Sequence, residues 1–407
     1  MDILLVNASW YPSGGDWTYL ESICKIYSSR GHNIIPFAMK DERNQITKFD
    51  KYFLENINYS DLNKNKTISN SLKVIGRSIY SIEAKRKLEL LLSENHIDLV
   101  QLNNIHNIHT PSIIPVLKKN KIPIVWRVLD YKLICPNRTF LSGDTICQKC
   151  FPNKYYECIL NKCKKKSLAA SIVTAAESYF YNFHPYKNDV DAFIFQNEFM
   201  KDLFIKYGYD KSNCYVVENP YDCTFDIPQY EGNDYILYFG RLSNEKGIMS
   251  LLESMKKLPD IKLKIVGNGP LLDEATRFVE LYQIKNIEFL GAKYGKDLDA
   301  ILKNSLFTVV PSEWLEPSPY VVLQSYALGK PVLANDIGGL TDLVKDGFTG
   351  MLSKMKDIDS LVNCIRNMYD NRENTRRMGV NARQLLEAKY NPERYYTSTM
   401  EIFNNLT

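Results

Sequence analysis

Two cations five residues apart, Arg241 and Lys246, stand in the run Gly240-Arg-Leu-Ser-Asn-Glu-Lys-Gly247. On a loop between a strand and a helix, such a pair can hold a diphosphate and neutralise the charge that builds on a departing nucleotide. A second run, Pro311-Ser-Glu-Trp-Leu-Glu316-Pro-Ser-Pro-Tyr-Val-Val-Leu-Gln324, sets a carboxylate before a helix start and an amide two turns inside that helix. Pro317 and Pro319 suit the first turn, where missing N–H groups cost little. Glu316 and several free N–H groups therefore point to one place. Gly14-Gly15 follow a strand-like run and precede a helix, so the backbone can approach a ligand and the helix N–H groups can meet an anion. Singly, each motif has a plainer reading: solvated surface cations, a capping carboxylate, a turn.

Cysteines form a second cluster. Cys147-x2-Cys150-x7-Cys158-x4-Cys163 has pair spacings of the kind zinc sites use, and Cys135 lies just ahead. The expectation is a structural zinc held by Cys147, Cys150, Cys158 and Cys163, with reduced thiols as the alternative. Cys24, Cys214, Cys223 and Cys364 read as packing residues.

The elements that must position these residues alternate between strand-like and helix-like patterns. Strands are expected at 2–7, 34–38, 98–102, 122–128 and 192–196, with helices near 16–30, 83–95, 111–119 and 197–207. The rhythm breaks over 129–165, which reads as a cysteine-rich insertion. It restarts with strands at 235–239, 262–266, 287–290, 306–310 and 331–334. Helices fill 247–257, 271–283, 295–303, 318–328, 340–345 and 357–369. Short apolar runs flanked by helices are the mark of buried parallel strands. The expectation is α/β, with two doubly wound, Rossmann-like domains facing across a cleft that binds the ligand. Domain one covers 1–212 plus a returning helix at 391–407, and domain two covers 213–390.

A chain of 407 residues with 45% hydrophobic and 24% charged content is an ordinary folded protein, not a disordered or disulfide-scaffold one. Mean hydropathy is −0.29. No run reaches the ~18 apolar residues of a membrane span, and the acidic start at Asp2 does not read as a signal peptide. A cytoplasmic location is expected. Residues 1–212 hold 29 Lys and Arg against 21 Asp and Glu, leaving 22 against 26 of the totals 51 and 47 for the remainder. The basic half, including Lys162, Lys164, Lys165 and Lys166, points to peripheral contact with anionic lipid at the inner membrane face. Ordinary variation of solvated surfaces is the plainer account. No nucleic-acid-binding signature accompanies the charge.

Together these residues resemble glycosyltransferase family 4, the retaining nucleotide-sugar transferases of the GT-B fold. The resemblance runs through Gly14-Gly15, Arg30-Gly31-His32, Asn103-Asn104-Ile105-His106, Leu129-Asp130-Tyr131 with Cys135-Pro136, Asn219, Gly240 to Gly247, Gly267-Asn-Gly269-Pro270 and Glu316 to Val332. It implies that Arg241 and Lys246 bind the donor diphosphate, Glu316 the sugar hydroxyls and Gln324 the ribose. Gly14, Gly15, Gly240, Gly267, Ser318, Pro319, Tyr320 and Val321 complete the donor side. Asn104, His106, Asp130 and Tyr131 fall on the acceptor side, while His109 reads as a surface-loop residue. Two positions depart from the pattern: Gln324 replaces the second of two glutamates, and Leu129 replaces a histidine.

The implied reaction moves a sugar from a nucleotide diphosphate to a hydroxyl acceptor with retention, in bacterial-type cell-surface polysaccharide or lipid-linked glycan synthesis. No catalytic metal is expected, because the two cations supply positive charge. Leu129 and Gln324 motivate the alternative of a catalytically silent donor-binding partner of another transferase. A sugar-nucleotide epimerase of related fold is a third reading. A nicotinamide enzyme is disfavoured by the missing Gly-x-Gly-x-x-Gly after the first strand.

Overall fold

The computed structural model describes residues 1–12, 14–56, 76–77, 79–184 and 186–407. The chain divides into two compact units: Met1–Gly143 with Cys147–Glu218 and Tyr395–Thr407, and Asn219–Arg394 with Asp144–Ile146.

The first unit is built on β1 (Asp2–Val6), β2 (Asn33–Phe37), β3 (Leu99–Leu102) and β4 (Ile124–Arg127). The insertion carries the two-residue strands β5 (Leu141–Ser142) and β6 (Thr145–Ile146), and β7 (Ala192–Phe195) and β8 (Cys214–Val216) follow. The six-stranded sheet runs in the order β2-β1-β3-β4-β7-β8, every pairing parallel. Its central strands are buried along their whole length, which is why they read as unbroken apolar runs. The helices are α1 (Gly15–Ser28), α2 (Ile82–Glu94), α3 (Ile114–Lys119), α4 (Tyr156–Leu160), α5 (Leu168–Phe183) and α6 (Glu198–Lys206). Side-chain oxygens of Ser81, Ser167 and Asn197 cap α2, α5 and α6.

The second unit repeats the plan with β9 (Tyr235–Phe239), β10 (Lys262–Val266), β11 (Ile287–Phe289), β12 (Thr308–Val310), β13 (Val332–Asn335) and β14 (Gly350–Ser353). Their order, β11-β10-β9-β12-β13-β14, is parallel throughout and doubly wound. Helices α7 (Ile248–Lys256), α8 (Leu272–Leu281), α9 (Gly295–Lys303), α10 (Tyr320–Ala327), α11 (Leu340–Leu343), α12 (Ile358–Asp370) and α13 (Arg372–Lys389) flank it. Ile236, Leu251, Leu252, Leu263, Ile265, Phe307, Val309 and Ile365 form its main core.

The chain closes with α14 (Pro392–Asn404), whose stretch from Tyr395 belongs to the first unit. Tyr395 explains the docking: its hydroxyl lies 2.7 Å from that of Tyr19 and 3.4 Å from that of Tyr27. Gln101 joins both tyrosines, accepting from Tyr27 and donating to Tyr19, each at 3.1 Å. Buried hydroxyls must be paired, so the network fixes where the helix returns.

Several elements differ from the sequence expectation, among them α4, β5 and β6 inside the insertion. β8 and β14 are edge strands buried only in part, so neither makes the unbroken apolar run that marks the central strands. β8 also carries the first unit past the expected 212/213 break. Helix α13 is dominated by charge, with only a narrow buried stripe at Met378, Ala382 and Leu386. α5 presents apolar residues outward.

Candidate active site

A doubly wound sheet opens a crevice where neighbouring strands send their connections to opposite faces, at the carboxyl ends of those strands. In the second unit that point lies between β9 and β12. The two strongest sequence motifs are the loops that leave these strands. They converge: Lys246 Nζ bonds Glu316 Oε1, and Ser312 Oγ donates to the same oxygen at 2.7 Å. Glu316 is 2% exposed, and a carboxylate so deeply buried needs partners of this kind. Lys246 keeps part of its side chain open to solvent, and its Nζ sits 5.4 Å from the centre of the Trp314 ring. The Trp314 indole N–H is buried with no partner among the described residues.

Glycines and one asparagine fix this geometry. Gly247 has φ +68°, and a Cβ there would lie 1.8 Å from the Pro311 carbonyl oxygen. The two loops can touch only because that position has no side chain. Glu313 N–H donates to Glu245 O at 2.9 Å across the same junction. Asn335 Nδ2 donates to the carbonyls of Pro311 (3.0 Å) and Ser312 (3.1 Å), while its oxygen accepts from Ser353 Oγ at 2.8 Å. Gly339 N–H donates to Glu316 O at 2.7 Å. At Gly267, φ is +150° and a Cβ would meet Gly240 O at 1.9 Å, so those two glycine loops are packed back to back.

The remaining donor-side residues of this unit lie on the same two loops and on α10. The Arg241 side chain is exposed and makes no hydrogen bond or ion pair among the described residues, while its carbonyl accepts from Tyr238 Oη at 2.8 Å. Burial, and then the Glu316 and Glu245 carboxylates, push the Tyr238 phenol well above its ordinary pKa. Ser318, Pro319 and Tyr320 begin α10, where the Ser318 carbonyl accepts from Asn219 Nδ2 at 3.4 Å. Val321 packs against the cluster of Leu237, Phe239, Val266, Leu298, Leu302 and Leu328. Gln324 is half-buried on α10 and its amide has no hydrogen bond among the described residues.

In the first unit the equivalent switch point lies between β1 and β3. Gly14 has φ +114° and caps α1, and a Cβ on Gly14 or Gly15 would meet nothing within 4 Å. Asn104 sits beside it: its N–H donates to Asn7 Oδ1 at 3.2 Å and its amide reaches Asp16 Oδ2 at 3.4 Å. Arg138 ties the group together, donating to Asn104 Oδ1 at 3.2 Å and pairing with Asp130 at 3.4 Å. Enclosure by neighbouring atoms, and then the Asp130 charge, push the Asp16 carboxyl above its ordinary pKa. His106 and Tyr131, expected on the acceptor side, are instead buried core residues. His106 packs 5.8 Å from Trp126, and burial lowers its pKa well below the usual histidine value. His109, expected on a surface loop, is fully buried against Phe37 and pushed down to about 3 by burial.

The cysteines approach one another without converging. A hydrogen bond from Cys158 draws the Cys163 thiol down to about 6, and burial together with the nearby thiols raises Cys150 to about 12. Cys135 is near enough to act on both Cys150 and Cys158. All nine cysteines are free. Among the described residues, the group of three ligand atoms within 4.8 Å of one another is Asp2, His96 and Asp98, and no set of cysteines meets that distance. Cys135 acts on this cluster as Cys147 does. The Asp2 and Asp98 carboxylates already accept from Asn33 Nδ2 (2.8 Å) and Asp2 N–H (2.6 Å).

Sequence reasoning missed Ser312, Tyr238, Asn335, Asp16 and Arg138. Ser312 lay inside a motif already singled out. Asn335 was signalled only by the Gly338-Gly339 pair that follows it, and Arg138 by nothing except its place in the insertion.

Residues 224–385 match the family model described as "Glycosyl transferases group 1". An uncharacterised glycosyltransferase of Methanocaldococcus jannaschii is 28% identical over 180 residues, which are 44% of this chain and 50% of that protein. The chain thus matches about half the length of that relative. An uncharacterised 42.6 kDa protein in the cps region of Klebsiella pneumoniae is 25% identical over 374 residues, covering 89% of this chain and 92% of that one. Among solved structures, Anabaena HepE in complex with UDP aligns over the full length of both chains with a TM-score of 0.68 at 16% identity. The fold is that of the GT-B glycosyltransferases, two units each with a parallel Rossmann-like sheet. Among the described residues no helix is long and apolar enough to cross a membrane.

Proposed function

We propose that the protein is a retaining glycosyltransferase of family 4, moving a sugar from a nucleoside-diphosphate donor to the hydroxyl of a glycan or lipid-linked acceptor. It works in cell-surface polysaccharide or lipid-linked glycan synthesis, peripherally at the inner face of a membrane. The observation that carries the reading is the buried Glu316 carboxylate held by Lys246 and Ser312, with the exposed, unpaired Arg241 on the same loop as Lys246. Two cations on one loop, one of them free, suit a diphosphate.

In this reading Arg241 and Lys246 bind the diphosphate, Glu316 accepts hydrogen bonds from sugar hydroxyls and Gln324 offers its unused amide to the ribose. The bond from the anomeric carbon to the diphosphate oxygen breaks. The leaving oxygen takes the proton of the acceptor hydroxyl, and that hydroxyl oxygen bonds to the anomeric carbon on the same face. Negative charge grows on the diphosphate, where two fixed cations stabilise it most. No protein nucleophile is required.

Leu129 favours a second reading, a donor-binding partner that is itself silent. Purified protein incubated with nucleotide sugars separates the two. Nucleotide diphosphate released by wild type and not by Glu316→Ala supports the enzyme, and release by neither leaves the silent partner.

A further inference from the structure

Helix α5 is turned inside out. Its protein-facing side carries Ser171, Thr174, Glu177 and Ser178, all buried. Their polar groups are engaged: Lys132 Nζ pairs with Glu177 at 2.7 Å and donates to Thr174 Oγ1 at 2.8 Å, and Ser171 Oγ accepts from the Lys164 N–H at 3.1 Å. The opposite side presents Leu168, Ile172 and Phe183 to solvent, Phe183 being 77% exposed. These positions, with exposed Ala176 between them, recur at helical spacing along one stripe. A surface helix ordinarily shows the reverse arrangement. Helix α4 packs beside α5 and carries a further exposed apolar residue, Leu160, 70% exposed.

Charge distinguishes what this surface fits. No acidic residue occurs between Glu157 and Glu177, while the turn joining α4 to α5 carries Lys162, Lys164, Lys165 and Lys166. Lys162, Lys165 and Lys166 are exposed. A twofold contact with a second copy on this face would bring lysines against lysines. A bilayer with anionic headgroups instead complements both features, taking apolar side chains at the acyl boundary and cations at the surface.

We propose that the α4–α5 face is a membrane-docking surface, with Leu160, Leu168, Ile172 and Phe183 entering the headgroup–acyl boundary and the lysine turn lying on anionic headgroups. This rests on the peripheral-membrane part of the proposed function and names the surface responsible.

The test is co-sedimentation of the full chain with vesicles of phosphatidylcholine alone, or mixed with phosphatidylglycerol, at low and high salt. The expected result is binding to the mixed vesicles about tenfold tighter than to neutral ones, weakened by salt. The variant Leu168→Ser/Ile172→Ser/Phe183→Ser loses binding to both vesicle types. Lys162→Gln/Lys165→Gln/Lys166→Gln loses the anionic preference. All six side chains are exposed, so unchanged melting temperatures show that both variants fold. Wild type that fails to sediment even at low salt, or undiminished binding by the serine variant, overturns the proposal. So does a dimer that the serine variant dissolves, which would assign the face to a second copy. Stabilisation by nucleotide, measured in parallel, keeps the readings apart. It persists in both variants if only the docking face is at fault, and is absent from wild type if the donor site is.

Discussion

The two sheets share a doubly wound plan, yet their switch points are furnished differently. In the second unit, the β9 and β12 loops are locked by Gly247, Asn335 and Gly339 around one buried carboxylate and one part-exposed lysine. In the first unit, Asp16 and Asn104 from the β1 and β3 loops meet Asp130, after β4, and Arg138, from the insertion, in a more open group, while the nearby histidines are withdrawn into the core. The difference teaches that a preorganised electrostatic cradle resides in the second unit. The first offers mainly hydrogen-bonding groups, held less tightly. All five histidines belong to the first unit as well, so the two units also differ in how protons act on them.

The largest effect is expected at Glu316. Glu316→Gln keeps the shape but removes the charge that holds Lys246 and Ser312. Sugar transfer should fall about 10²–10³-fold, or ~3–4 kcal/mol of transition-state stabilisation. A variant with more than a tenth of wild-type kcat/KM would mean that the cradle is structural.

Acid should act next, and on the first unit. His106 and His109 are buried neutral, with folded pKa values below the ordinary 6.5. The unfolded chain therefore binds more protons as pH falls below about 6.5, and each imidazole removes about 1.4 kcal/mol of stability per pH unit over that span. For His109 the loss continues down to about 3. Urea unfolding between pH 7 and 5 should show this slope, and His109→Leu should flatten it by one group. An unchanged slope in that variant would place the acid sensitivity elsewhere.

Smaller effects separate the two sites further. Gly247→Ala forces the β9 and β12 loops apart, so about 1–3 kcal/mol should be lost in thermal unfolding. Nucleotide affinity should drop with it, which a stability loss elsewhere in the unit would not cause. Asp16→Asn should raise the acceptor KM about threefold or less, leaving the donor KM unchanged. A change in donor KM alone would move Asp16 to the other substrate.

How much of this could be read from the sequence depended on local chemistry. The donor loops were legible because glycine, proline and charge at fixed spacing carry backbone information, and the buried parallel strands because they are unbroken apolar runs. The acceptor-side residues were less so. Nothing in Asn103-Asn104-Ile105-His106 reveals that His106 turns inward against Trp126, or that Arg138, from a distant insertion, bridges Asn104 to Asp130. Helix α5 eluded the reading because its apolar stripe looks outward, so its period belongs to a different environment from the core. The cysteine spacing suggested a cluster, and Cys135 joins it only through the fold.

The central claim is that Arg241, Lys246 and the glycine-packed loops of the second unit hold a nucleoside diphosphate. Thermal-shift titration of the full chain with UDP, GDP, ADP, CMP and dTDP tests it directly, with Arg241→Ala/Lys246→Ala as control. A nucleotide at 100 times its dissociation constant should add about 2.7 kcal/mol of stability. One diphosphate stabilising wild type and not the control is the predicted result, and it names the base. Equal stabilisation of both proteins, or none by any nucleotide, would contradict the claim.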